Sequence, residues 1–147
     1  TDQYLYIKNF IPSRWPVGNP EYGLLNCDNS PTKSHLISLK GDQKMGNYYQ
    51  MSFGKRPEEE LYNIIEDPDC FVNLADNINY SKIKDSLWQS LKTKLVKQKD
   101  PRILGKGEIF DYYPYSRIPR QQKLYNDPNY DPIKIFEDKY NQKINVN

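Results

Sequence analysis

The sequence predicts an α+β fold: a small antiparallel β-sheet packed on one long amphipathic helix, with short helices beside it and an extended tail. Three observations predict it. Two short runs dense in β-formers, residues 4–10 and 60–65, lie far apart in the chain. One stretch, residues 81–99, places Ile83, Leu87, Leu91 and Leu95 at every fourth position, with Trp88 and Val96 widening the stripe. A sheet of few strands buries one face only by resting on such a helix.

The elements follow in order. In residues 4–10 strand alternation puts Tyr4, Tyr6, Lys8 and Phe10 on one face and Leu5, Ile7 and Asn9 on the other, and Pro12 ends the run. Residues 12–29 hold Pro12, Pro16, Pro20, Gly18 and Gly23 and read as an irregular loop. So long a structureless run is usually functional or packed on a partner. Ser30-Pro31 is a helix start, with serine as N-cap and proline at the first helical position. Gly41 can end that helix. A second short helix is expected around Tyr48, Tyr49, Met51 and Phe53, before Gly54. The strand at residues 60–65 runs into the turn-forming Asp67-Pro68-Asp69.

Asn79 or Ser81 can cap the long helix, lysines near its end complement its dipole, and Asp100-Pro101 stops it. Its six apolar side chains are expected to anchor the core, each contributing about 1.5–3 kcal/mol if fully buried. On that reading Leu91→Ala costs about 2–5 kcal/mol. Residues 1–115 form one subdomain. Residues 116–147, with Pro119 and Pro128 and little periodicity, form a C-terminal extension, extended or partly disordered, ending in a marginal helix over residues 133–144.

Composition narrows the function. Hydrophobic residues make up 37% of the 147, and 13 residues are tyrosine, so the chain has a small core that leans on something larger. The net charge of +2 attracts no polyanion at long range, and no basic stripe accompanies Arg14-Trp15 or Tyr112-Tyr113. Nucleic acid is therefore not the expected partner. No stretch of 18 apolar residues exists to cross a membrane. The chain opens on Thr1 just before a strand, which reads as a boundary within a longer polypeptide.

Catalytic signals are sparse. The single histidine, His35, lies in the first short helix, where packing or capping explains it as well as catalysis. Asp67, Asp69 and Asp76 with Asn73 and Asn77 lack the glycine and glutamate of a calcium loop and read as turn and cap residues. Cys27 and Cys70 fit no metal spacing; they pair with each other or stand as two buried thiols. No catalytic and no metal-binding residue is nominated. Arg14, Trp15, Asp28, Lys33 and His35, on or beside the long loop, are the candidate substrate-binding residues, because specificity often rests on loops over rigid scaffolds.

Several segments together resemble one family. Arg56-Pro57-Glu58-Glu59-Glu60-Leu61-Tyr62-Asn63, then Glu66-Asp67-Pro68-Asp69, Asn73-Leu74-Ala75-Asp76, a long helix and Asp100-Pro101-Arg102 resemble the C-terminal end of sulfatases of the alkaline-phosphatase-like type. Asn63 stands where that pattern usually has Asp. Arg14-Trp15-Pro16, Gly18-Asn19-Pro20 and the stretch from Asn26-Cys27-Asp28 to Lys33 resemble the bacterial branch similar to heparan N-sulfatase (N-sulfoglucosamine sulfohydrolase).

The resemblance implies hydrolysis of sulfate esters or sulfamates on sulfated saccharides such as glycosaminoglycans. It also implies a periplasmic or extracellular location. The family's nucleophile is a formylglycine made from the first residue of Cys/Ser-x-Pro-x-Arg, and a calcium ion polarises the sulfate. No Cys or Ser here has proline two positions on. Formylglycine and calcium are thus expected in an N-terminal catalytic domain, the implied partner of this chain, which by itself is expected to be inactive. The alternative is a non-catalytic carbohydrate- or protein-binding module.

Overall fold

The computed structural model describes residues 1–16, 18–21, 30–115 and 119–144. The chain divides into two compact units, Thr1–Trp88 and Gln89–Asn147. Together they are mixed helix and sheet.

In the first unit, strand β1 (Tyr4–Lys8) pairs antiparallel with β2 (Glu59–Asn63), Tyr6 facing Leu61 and Lys8 facing Glu59. The predicted alternation of β1 holds, although Phe10 lies beyond the strand and β2 begins one residue before its expected start. Leu61 is 0% exposed and forms the centre of this unit with Tyr49 and Ala75. On the face that carries Tyr6, Lys8 and Glu59, the Tyr6 hydroxyl donates to Glu59 Oε1 (2.6 Å) and Lys84 Nζ lies 3.2 Å from Glu59 Oε2. Trp88 stacks on the same face, its ring 6.5 Å from Tyr6 and 5.2 Å from Lys8 Nζ. Burial and the bond to Glu59 raise the Tyr6 pKa, while that bond and Lys84 hold Glu59 below the usual carboxylate range.

The outer edge of β2 has no third strand. Asn73 takes that place: its Oδ1 accepts from Leu61 N–H (2.9 Å) and Ala75 N–H (3.0 Å), and its Nδ2 donates to the Glu59 carbonyl (3.1 Å). The Leu74 amide completes the edge on the Leu61 carbonyl (2.7 Å). The outer edge of β1 is different. Ile64 N–H bonds Gln3 and Asn9 N–H bonds Glu58, so within this register Leu5 and Ile7 turn their amides inward and Tyr6 and Lys8 turn theirs outward. Thr1 hooks only the first outward residue, Tyr4.

Helix α1 (Pro31–Ser38) starts as read: Ser30 Oγ accepts from Lys33 N–H at 3.2 Å, and Gly41 follows at φ +83°. Helix α2 (Gly46–Phe53) packs on α1 and buries Tyr49 against Phe53. Gly54 closes α2, and any Cβ there would collide with the Gln50 carbonyl.

Helix α3 (Ser81–Lys97) follows a short 3₁₀ turn whose cap is Asn77, not Asn79 or Ser81. Its end is a left-handed turn at Lys99 (φ 56°), where Lys99 and Asp100 amides bond the Val96 and Leu95 carbonyls, just before Pro101. None of its side chains is fully buried and Val96 is 49% exposed. The expected core of six buried side chains on this helix therefore does not form. Ile83, Leu87, Leu91 and Leu95 are half-buried, so the 2–5 kcal/mol expected for Leu91→Ala overstates its loss.

The second unit holds a 3₁₀ segment (Gly107–Tyr112), α4 (Pro119–Tyr125) and α5 (Pro132–Ile144). The helix expected near residues 133–144 is α5, but α4 occupies part of the stretch read as extended. Asp131 caps α5 by accepting from the Ile133 and Lys134 amides (2.9 and 3.1 Å). Phe136 is buried between Tyr112 and Tyr140, at ring distances of 5.8 and 5.5 Å, and the Tyr130 hydroxyl donates to the Tyr112 carbonyl (2.7 Å). The boundary near residue 115 thus falls inside this unit, between the 3₁₀ segment and α4. Cys70 carries a free, half-buried thiol, and Cys27 lies outside the described residues.

Candidate functional site

The second face of the two-stranded sheet forms the floor of an open groove of about 660 Å³. Strand alternation sets this floor: Leu5, Ile7 and Asn9 come from the β1 side, Glu60 and Tyr62 from β2. Gln50, Met51 and Arg56, at the end of α2 and just beyond Gly54, supply one wall. Asp69, Cys70 and Phe71 supply the other.

That second wall is held by the Asp-Pro turn. The Asp67 carbonyl accepts from Cys70 N–H (3.1 Å), its carboxylate accepts from Val72 N–H (2.8 Å), and Cys70 sits in the left-handed region at φ 56°. Asn63 begins the turn by accepting from the Ile65 amide (3.3 Å). An aspartate would accept there equally well, so the departure at Asn63 leaves this turn bond intact.

Glu60 is the unusual member of the floor. It is 6% exposed, and among the described residues its carboxylate accepts from two neutral donors, Asn9 Nδ2 at 2.8 Å and the Tyr62 hydroxyl at 2.7 Å. Burial pushes the Tyr62 pKa up to about 12, with the Glu60 bond and charge adding to it. Arg56 turns a guanidinium N–H to the Met51 carbonyl (2.8 Å). Among the described residues the groove's lining carries one thiol, Cys70, and two carboxylates, Glu60 and Asp69.

Four of the five residues nominated from sequence are described, and they lie elsewhere. Arg14 is exposed on a turn closed by its amide on the Ile11 carbonyl (3.0 Å). Trp15 is half-buried with Lys55 Nζ 5.3 Å from its ring. Lys33 is the third residue of α1, and His35 is exposed on the same helix, its carbonyl accepting from Ser38 Oγ (2.7 Å). Asp28 lies outside the described residues. None of the four described residues among them lines the groove. Sequence reasoning missed the groove, although its signal was present: Leu5, Ile7 and Asn9 had already been assigned to one face. Among the described residues no group of three His, Cys, Asp or Glu is arranged to hold a metal ion, and no helix is long and apolar enough to cross a membrane.

No family model matches the chain, and no solved structure matches it. It is 28% identical over 133 residues to a protein from Formosa agariphila described as an ulvan-active sulfatase. The match covers 89% of this chain and 20% of that protein, so the chain spans about one fifth of the length of the sulfatase it resembles.

Proposed function

We propose that these residues form the C-terminal α+β layer of a sulfatase that hydrolyses sulfate esters or sulfamates on sulfated saccharides. One observation carries the reading. Similarity to a sulfatase runs through nearly the whole chain, yet accounts for a small fraction of that protein. The geometry is consistent with it, because three of the resembling segments, β2, the Asp67 turn and the Asn73 clamp, are bonded to one another.

On this reading the layer completes a larger fold, and the bond-breaking machinery belongs to polypeptide outside these residues. Formylglycine would supply the nucleophile there and calcium would polarise the sulfate. The sequence has no Cys/Ser-x-Pro-x-Arg for the first, and among the described residues no three His, Cys, Asp or Glu are grouped to hold a metal ion. Arg14, Trp15, Asp28, Lys33 and His35 would line the substrate pocket, with Arg14 or Lys33 pairing a sulfate or carboxylate. A substrate like that of N-sulfoglucosamine sulfohydrolase and a periplasmic or extracellular location complete the proposal. The test is desulfation of a panel of sulfated sugars by the full-length protein beside the 147-residue chain. Turnover by the full-length protein alone is expected; turnover by the isolated chain would sink the reading.

A further inference from the structure

We infer that the groove on the second face of the sheet receives a polypeptide segment that brings a lysine or arginine to Glu60. A carboxylate taken out of water loses several kcal/mol of hydration unless a cation replaces it. Glu60 is nearly buried and has only an amide and a phenol as donors; the ion pairs of the described residues do not include it. The groove's own cation, Arg56, is near enough for its charge to act on the Tyr62 hydroxyl, but it turns a guanidinium N–H to the Met51 carbonyl and is not among the described ion pairs with Glu60.

Beside the polar Asn9, Gln50, Tyr62 and Asp69, the groove carries exposed apolar side chains. Leu5 is 41% exposed, Met51 40% and Phe71 64%. Exposed apolar side chains bordered by polar groups mark a protein interface more than a sugar site. The occupant is therefore a segment with a basic residue flanked by apolar ones. This inference rests on the sulfatase-part reading, which makes that segment part of the same polypeptide outside residues 1–147.

The experiment places photoreactive benzoylphenylalanine at Phe71 in the full-length polypeptide, followed by irradiation, digestion and mass spectrometry. A second version carries photo-methionine at Met51, on the other wall, in case the first misfolds. Expected is a cross-link to a peptide of the same polypeptide, outside residues 1–147, that contains Lys or Arg. Glu60→Gln, which keeps an acceptor for Asn9 or Tyr62, should cut its yield several-fold, and Glu58→Gln should not. Cross-links confined to residues 1–147, cross-links between two copies, or suppression by a sulfated oligosaccharide would each overturn the inference. Sulfatase activity of the unirradiated sample separates the two readings. A cross-link without activity rejects the sulfatase reading and keeps the docked segment, whereas activity without a cross-link rejects the docking alone.

Discussion

Truncating Asn73 to alanine removes three hydrogen bonds that stand in for a missing strand. The cost is dominated by one of them. Leu61 is wholly buried, so its amide loses its only acceptor where water enters poorly. An orphaned buried donor costs about 1–3 kcal/mol. Ala75 is 4% exposed, so its amide adds a smaller penalty of the same kind, while the Glu59 carbonyl is on an exposed bond that water largely replaces; the sum is about 2–4 kcal/mol. For a chain of this size that lowers the melting temperature by about 6–12 °C. Asn73→Asp keeps both acceptor bonds and loses only the donor to Glu59, so its cost should be about 1 kcal/mol. Thermal unfolding followed by the near-ultraviolet signal of the tyrosines, with amide exchange at Leu61, measures both. Equal melting temperatures for the alanine variant and the parent, with Leu61 still protected, would refute the clamp as the support of this edge.

Leu61→Ala should cost about 2–5 kcal/mol, seen as a lower urea midpoint at unchanged slope. Glu59 has a folded pKa below its ordinary value, so its contribution is present above the ordinary carboxylate range and is lost as pH falls through the folded value. Glu59→Gln should therefore flatten the acid limb of the stability curve, and parallel limbs would contradict the Tyr6–Glu59–Lys84 arrangement. Tyr62 is the converse case. Its pKa is raised from 10.0 to about 12, so its contribution holds below the ordinary value and fades as pH rises toward 12. Tyr62→Phe should delete one late-ionising phenolate from the alkaline absorbance titration. In the full-length protein Arg14→Ala should lower turnover of sulfated saccharides at unchanged melting temperature; equal loss of both would mark Arg14 as structural glue.

What the sequence made legible is local. The Ser30-Pro31 cap and the alternation of β1 each depend on neighbours within a turn or two, and each is found in place; a helix, Ser81–Lys97, occupies most of residues 81–99. What it hid is non-local. Glu60 reads as solvent-facing by residue type, and its burial depends on Asn9, 51 positions away. Asn73 reads as a turn residue, and its work is done on Leu61 and Glu59, 12 and 14 positions back. The helix over α4 was obscured by Pro119, which breaks helices in their interior but is welcome at a first turn. The strong stripe of α3 suggested a deep core, yet periodicity reports which face is apolar, not how much material exists to cover it.

The unequal sides of the two-stranded ribbon have a consequence for assembly. With β2 occupied by Asn73 and Leu74, the flank left for a further strand among the described residues is the one beside Tyr6 and Lys8. Strand addition to this sheet is thus one-sided: a segment entering there, whether from the longer polypeptide of the proposed reading or from a second copy, would leave no vacant flank for another.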